Sequence, residues 1–108
     1  MILFFLISLS LKAQTIHCIA SWERLSDHGK VMANGKKFNT NALTCATWRY
    51  PLGAIIRCKT SNGFHCTAVV TDRTAVRYNN RIDLSPICFR KLNGLELGIC
   101  NVTVERIN

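Results

Sequence analysis

Apolar and polar residues alternate along several short segments of the chain, which is the pattern of half-buried β-strands. In residues 15–22, TIHCIASW, every second side chain from Ile16 to Trp22 faces one side. Turn signals such as Asn34-Gly35 separate this segment from five others of similar length. The others are ALTCATW, AIIRCK, CTAVVTD, RIDL and GICNVTVERI. The pattern predicts six short strands.

The clearest hairpin lies in residues 54–72, AIIRCKTSNGFHCTAVVTD. A three-residue loop, SNG, places Gly63 at the left-handed position that such loops require. This register sets Cys58 opposite Cys66. Directly opposed residues of two antiparallel strands have Cβ atoms about 4.5–5.5 Å apart, which is near the separation that a disulfide needs. We predict a Cys58–Cys66 bridge, and the pairing of the other four cysteines stays open.

A short helix is predicted in residues 85–94, SPICFRKLNG. Ser85 is a favoured N-cap residue, Pro86 suits the first helical position, and Gly94 is typical of a helix end. Six short strands and one helix in a chain of 108 residues predict an all-β fold, a small closed barrel.

The first 13 residues, MILFFLISLSLKA, have the composition of a signal peptide. Their apolar run from Ile2 to Leu11 is about half of the roughly 20 residues that a membrane-spanning helix needs. We predict cleavage after Ala13 and one domain over residues 14–108. The protein is then exported, with no transmembrane helix after signal cleavage.

All six cysteines lie after residue 13, and an even count in a small exported domain indicates a disulfide framework. No two of them have the C-x-x-C spacing of a zinc site, and the three histidines are scattered along the chain. We therefore expect disulfides that stabilise a small core, and neither a metal nor a cofactor.

The net charge of +8 favours acidic partners. For an exported protein, an anionic cell-wall polymer is the expected partner. Nucleic-acid binding would require residues 1–13 not to be a signal peptide, so we expect no nucleic-acid partner.

Short motifs follow one another in a characteristic order between residues 20 and 107: ASW, HG, ANG followed by Phe38, NALT, PLG, VVTDR, RIDLS and VTVERI. This ordered set resembles the RlpA-like (rare lipoprotein A) family of double-psi β-barrels. The resemblance implies a six-stranded double-psi barrel. It also implies an exported protein of the periplasm, cell envelope or exterior that acts on peptidoglycan as an endolytic lytic transglycosylase. In that reaction an acid protonates the glycosidic oxygen and the sugar's own 6-hydroxyl attacks, which leaves a 1,6-anhydro end.

The resemblance also identifies candidate site residues. The family has Glu, His and Asp at three functional positions, and this chain has Lys36, Thr47 and Asp72 there. Asp83 resembles by position an Asp of expansins, which share the barrel. The candidate catalytic residues are therefore Asp72 and Asp83. The candidate substrate-binding residues are Asn34, Lys36, Thr47, Trp48 and Arg73.

These departures leave two main hypotheses. One is a lytic transglycosylase with a degraded active site, in which Asp72 acts without a second carboxylate because the nucleophile belongs to the substrate. The other is a non-catalytic peptidoglycan-binding module, since a lysine near Asp72 favours its ionised form whereas a general acid must hold its proton. A secreted defence or interaction protein resembling barwin or expansins is a third. Expected partners are glycan strands, and division or cell-wall proteins. In a purely structural role, Asp72 would pair with Arg73, Lys36 or Arg81, and Trp48 would only pack.

Overall fold

The computed structural model describes residues 14–92 and 98–108. The predicted signal peptide and the predicted helix end at Gly94 lie outside these residues. The described residues form six strands: β1 Ile16–Trp22, β2 Thr44–Ala46, β3 Ile55–Lys59, β4 His65–Asp72, β5 Arg81–Leu84 and β6 Ile99–Arg106. A 3₁₀ turn, Leu25–Asp27, follows β1, and one α-helix, α1 Pro86–Arg90, follows β5.

The strands close into a barrel in the order β1-β5-β2-β4-β3-β6. Two neighbouring pairs, β1 with β5 and β2 with β4, are parallel. The other four pairs are antiparallel. Among these six described strands, closure leaves no unpaired sheet edge, and it confirms the predicted six-stranded barrel with one short helix.

The core consists of the inward-facing side chains of the strands together with one face of α1. Ile56, Ile82 and Val104 are fully buried, and Phe89 of α1 is 1% exposed. The alternation seen in the sequence is the cause, because successive side chains of a strand point to opposite faces of the sheet.

Helix α1 begins at Pro86, as predicted. Ser85 precedes it but does not cap it, because the Ser85 hydroxyl donates to the carbonyl of Ala42 at 2.6 Å and makes no capping bond to the helix. This contact joins the start of the helix to the segment before β2.

The predicted hairpin is present with the predicted register. Cys58 lies opposite Cys66, the Thr60 N–H donates to the Phe64 carbonyl at 2.8 Å, and Gly63 has a φ of 94°. A positive φ at this position is readily adopted only by glycine.

All six cysteines are free thiols in the structure, so the disulfides stay predictions. Cys66 lies within hydrogen-bonding reach of two thiols, those of Cys58 and Cys88. The contact with Cys66, followed by burial, raises the pKa of the Cys88 thiol well above its usual range. Cys88 is therefore a second structural neighbour that competes with Cys58 for pairing with Cys66.

Candidate functional site

A polar cleft of about 560 Å³ opens where β1, β5, β2 and β4 end. Four paired residues run across these neighbouring strands: Ser21 opposite Asp83, Asp83 opposite Ala46, and Ala46 opposite Asp72. Because neighbouring strands lie about 4.8 Å apart, the Cα atoms of Asp83 and Asp72 are separated by about 10 Å. Ala46, whose side chain is a single methyl group, lies between them in the row and also lines the cleft.

A bulge in β4 places Asp72 in this row. Cys45 is paired with Val70 but the next residue, Ala46, is paired with Asp72, so Thr71 is an extra residue on β4. Val70 and Thr71 are accordingly both buried, which breaks the alternation. Bulges commonly redirect a side chain beside a functional site, and here the bulge aligns Asp72 with Asp83.

Asp72 is held by the backbone. Its Oδ1 atom accepts hydrogen bonds from the N–H of Ala33 at 2.9 Å and from the N–H of Arg73 at 2.8 Å. Two N–H donors stabilise a negative charge and fix the orientation of the carboxylate. Among residues 14–92 and 98–108, no cation lies within 4.0 Å of Asp72, so the alternative of a structural ion pair is not observed.

Asp83 belongs to a polar network. It forms an ion pair with Arg81, with Nε 3.3 Å from Oδ1, and it accepts a hydrogen bond from the Ser21 hydroxyl. Arg81 also donates to the Ser21 oxygen at 3.2 Å. Asp83 is thus charge-compensated, whereas Asp72 is not.

Glu23 also lines the cleft, and the sequence analysis did not select it. It is the first residue after β1, and its N–H donates to the Leu84 carbonyl at 2.8 Å. Its Oε1 atom is buried and has no hydrogen-bond partner in the described part of the chain. Burial, followed by the charges of Asp72, Asp83 and Asp27, raises the pKa of Glu23 from 4.5 to about 8.

Arg73 lines the cleft, whereas Trp48 does not line it and packs against the Arg73 guanidinium. Arg73 donates through Nη1 to the carbonyls of Thr47 and Tyr50, each at 2.6 Å. Its Cζ lies 5.3 Å from the centroid of the Trp48 ring, and that of Arg77 lies 5.0 Å from it. Such cation–π contacts order these side chains, but they also leave less of the indole face available to stack on a sugar.

Asn34 and Lys36 line a neighbouring cleft of about 610 Å³, together with Lys37 and Leu52, and not the cleft of the carboxylates. The Asn34 side-chain oxygen accepts the N–H of Lys36 at 3.0 Å, so it closes the tight turn. Lys36 is exposed. Lys36 and Asp72 therefore line different clefts, and they form no ion pair in the described part of the chain.

Thr47 is fully buried. Its hydroxyl donates to the Arg81 carbonyl at 3.0 Å and accepts the N–H of Arg49 at 3.1 Å. Because the hydroxyl both donates and accepts a hydrogen bond inside the protein, Thr47 has a structural role and offers no atom to a ligand.

A family model described as lytic transglycolase matches residues 18–104. The chain belongs to this family. Glu23, Asp72 and Asp83 all lie inside the matched region, so the cleft is built from the part of the chain that defines membership of the lytic transglycolase family.

Curated relatives of this lytic transglycolase domain are named endolytic peptidoglycan transglycosylase RlpA. The protein of Campylobacter jejuni is 34% identical over 95 residues, which cover 87% of this chain and 34% of the relative. That of Neisseria meningitidis is 32% identical over 89 residues, which cover 82% of this chain and 37% of the relative. The chain thus spans about a third of the length of these relatives.

Solved structures with the same fold include the Streptomyces papain inhibitor, with a TM-score of 0.74 and 22% identity over 88% of this chain and 96% of that one. A mutant expansin of Clavibacter michiganensis in complex with cellohexaose has a TM-score of 0.71 and 16% identity over 88% of this chain and 51% of that one. These similarities confirm the double-psi barrel. At such identities they say nothing about the activity of this lytic transglycolase family member.

In the part of the family domain that the structure describes, no helix has both the length and the apolar composition needed to cross a membrane.

Proposed function

We propose that this protein is an exported cell-envelope protein that cleaves peptidoglycan glycan strands as a lytic transglycosylase and leaves 1,6-anhydro ends. The observation that carries the proposal is the Asp72 carboxylate, which lines an open polar cleft and is held by two backbone N–H groups. Membership of the lytic transglycolase family and the names of the curated relatives support the reaction class.

The Asp72 carboxylate is suited to stabilise positive charge on the substrate. In the cleavage, positive charge develops at the anomeric carbon when the glycosidic bond breaks, and a fixed carboxylate stabilises such charge without having to reorganise. The same carboxylate can accept the proton that the 6-hydroxyl loses when its oxygen bonds to the anomeric carbon. No activated water is needed, because the substrate supplies the nucleophile.

Asp83 acts as a supporting residue in this proposal. Its ion pair with Arg81 and its bond to Ser21 hold one side of the cleft at a defined distance from Asp72. Arg73, with its guanidinium bonded to two carbonyls, also lines the cleft. In this proposal a sugar binds between the Asp83 network and Arg73.

The neighbouring cleft favours a second function, glycan binding without cleavage. Asn34, Lys36 and Lys37 line it, and two lysines suit the carboxylates of the lactyl groups and stem peptides of peptidoglycan. The replacement of the family's Glu and His by Lys36 and Thr47 favours this alternative. Division or cell-wall proteins are the further partners proposed.

The deciding experiment incubates the purified protein with glycan strands that have been stripped of stem peptides, and analyses the products by mass spectrometry. Anhydro-ended products from wild type, and their loss in Asp72→Asn with glycan pull-down retained, are the expected results. Glu105→Gln is the charge-matched control, because Glu105 pairs with Arg57 away from the cleft. Pull-down without products would reject cleavage and favour the binding module.

A further inference from the structure

We propose that Glu23 is the proton donor of this cleft, the general acid that protonates the departing glycosidic oxygen. This inference rests on the proposed glycan cleavage and adds a residue to it. The family resemblance implies an acidic residue at position 36, on the ANG turn, where this chain has a lysine, and it left Asp72 and Asp83 as the catalytic candidates. Glu23 reaches the same cleft from the end of β1.

The position of Glu23 is defined by the barrel. Its backbone N–H is bonded to Leu84 at 2.8 Å, and the preceding residue, Trp22, is the last one of β1 and lies opposite Leu84 of β5. The half-buried side chain therefore starts beside the row that contains Asp83 and Asp72. A rigid backbone anchor is what a residue that must meet one substrate atom requires.

The Oε1 atom of Glu23 is buried and has no hydrogen-bond partner among the described residues. Leaving a buried polar atom without a partner costs free energy, and for an ionised carboxylate the cost is larger. A protonated carboxyl with one free hydrogen-bonding position is the form that this environment favours. Glu23 also lines the open cleft, so the protonated carboxyl can turn its O–H toward a glycosidic oxygen that enters there.

The charges of the cleft also favour the protonated form of Glu23. The chain has only six acidic residues, and four of them, Glu23, Asp27, Asp72 and Asp83, line this cleft. Burial and then the repulsion from the other three raise the pKa of Glu23 to about 8, so most molecules carry the proton at neutral pH.

Cations around Glu23 offset this repulsion only in part, because Asp72 has no cation within 4.0 Å in the described part of the chain. Lys30 is paired with Asp27. Arg81 is paired with Asp83, and Arg73 is bonded to two carbonyls. Arg24 is exposed. Cys88 of α1 adds a small contribution in the same direction as the carboxylates.

Glu23 thus donates a proton and Asp72 accepts one. Pairs of carboxyl groups with different environments take such separate roles in glycan-cleaving enzymes. The proton of Glu23 passes to the glycosidic oxygen while the bond from that oxygen to the anomeric carbon breaks. The 6-oxygen then bonds to the anomeric carbon, and its proton passes to Asp72. Solvent returns the proton from Asp72 to Glu23, so the balance closes without any other reactant.

The first test compares wild type with Glu23→Gln, which keeps the size of the side chain and removes its acidity, and with the control Glu105→Gln. We expect the rate of anhydro-product formation to fall by a factor on the order of 10²–10⁴ in Glu23→Gln, while glycan pull-down and the control are unchanged. If wild type cleaves and Glu23→Gln cleaves equally fast, the assignment of Glu23 is wrong and the proposed function stands. If wild type forms no anhydro product, both are wrong.

The second test uses an N-acetylmuramyl glycoside of 4-nitrophenol, whose leaving group departs without protonation. Glu23→Gln should cleave it within about tenfold of the wild-type rate, whereas Asp72→Asn should stay inactive. An equal loss on both substrates would indicate a merely structural role and overturn the proposal. If Glu23→Gln does not fold, carbon NMR titration of the Glu23 carboxyl in wild type decides, and a midpoint below about 6 would overturn it.

Discussion

Replacement of Glu23 by glutamine should remove a specific pH dependence from the stability of the protein. The folded state raises the pKa of Glu23 from 4.5 to about 8, so it binds the proton more tightly than the unfolded chain does. The stability that this proton contributes is complete below pH 4.5 and is lost as the pH rises through 8. Glutamine stays neutral throughout, and its contribution does not change.

The size of the effect follows from the shift. One pKa unit corresponds to about 1.36 kcal/mol, so a rise from 4.5 to about 8 corresponds to an upper limit of about 5 kcal/mol. Glu23 is only half-buried, and solvent at the mouth of the cleft screens its neighbours, so we expect about 2–3 kcal/mol. The free energy of unfolding of Glu23→Gln should therefore exceed that of wild type by this amount at pH 9, and by little at pH 4.5.

Urea denaturation followed by circular dichroism, at half-unit steps from pH 4.5 to pH 9, measures the difference directly. Glu105→Gln is the matched control, because its exposed ion pair with Arg57 contributes about 0–1 kcal/mol and should give no comparable pH dependence. A constant difference between wild type and Glu23→Gln across the whole range would refute the raised pKa.

Three further predictions concern Trp48, Lys36 and the cysteines. Trp48→Ala should lower the free energy of unfolding by about 2–4 kcal/mol in thermal or urea denaturation, because the indole packs, bonds to a carbonyl and carries two guanidinium groups; a loss below about 0.5 kcal/mol would contradict this. Lys36→Ala should weaken pull-down of anionic glycan strands several-fold while Lys36→Arg retains it, and product formation per bound strand should not change, since Lys36 lies outside the carboxylate cleft. Peptide mapping without reduction should find Cys66 joined to Cys58, its cross-strand neighbour; a bridge from Cys66 to Cys88 would overturn the pairing.

Much of the fold could be predicted because strand patterns and tight turns are local. Alternation placed the strands, and the SNG loop alone set Cys58 opposite Cys66. The candidate site could be predicted only in part. Asp72 and Asp83 were identified from motifs, and the structure brings them into one cleft. Lys36 was expected beside Asp72, but the turn directs it into a neighbouring cleft.

The sequence by itself determined the strand segments, the hairpin register and the presence of an acidic residue at the end of β4. Only the tertiary structure determined the place of Glu23 in the cleft and its raised pKa. Its raised pKa comes from burial and from carboxylates 49 and 60 positions away along the chain, Asp72 and Asp83. Strand pairing across the closed barrel, together with one bulge in β4, collects these charges in a single cleft. Desolvation and charge repulsion depend on distance in space, and no local pattern of residues encodes that distance.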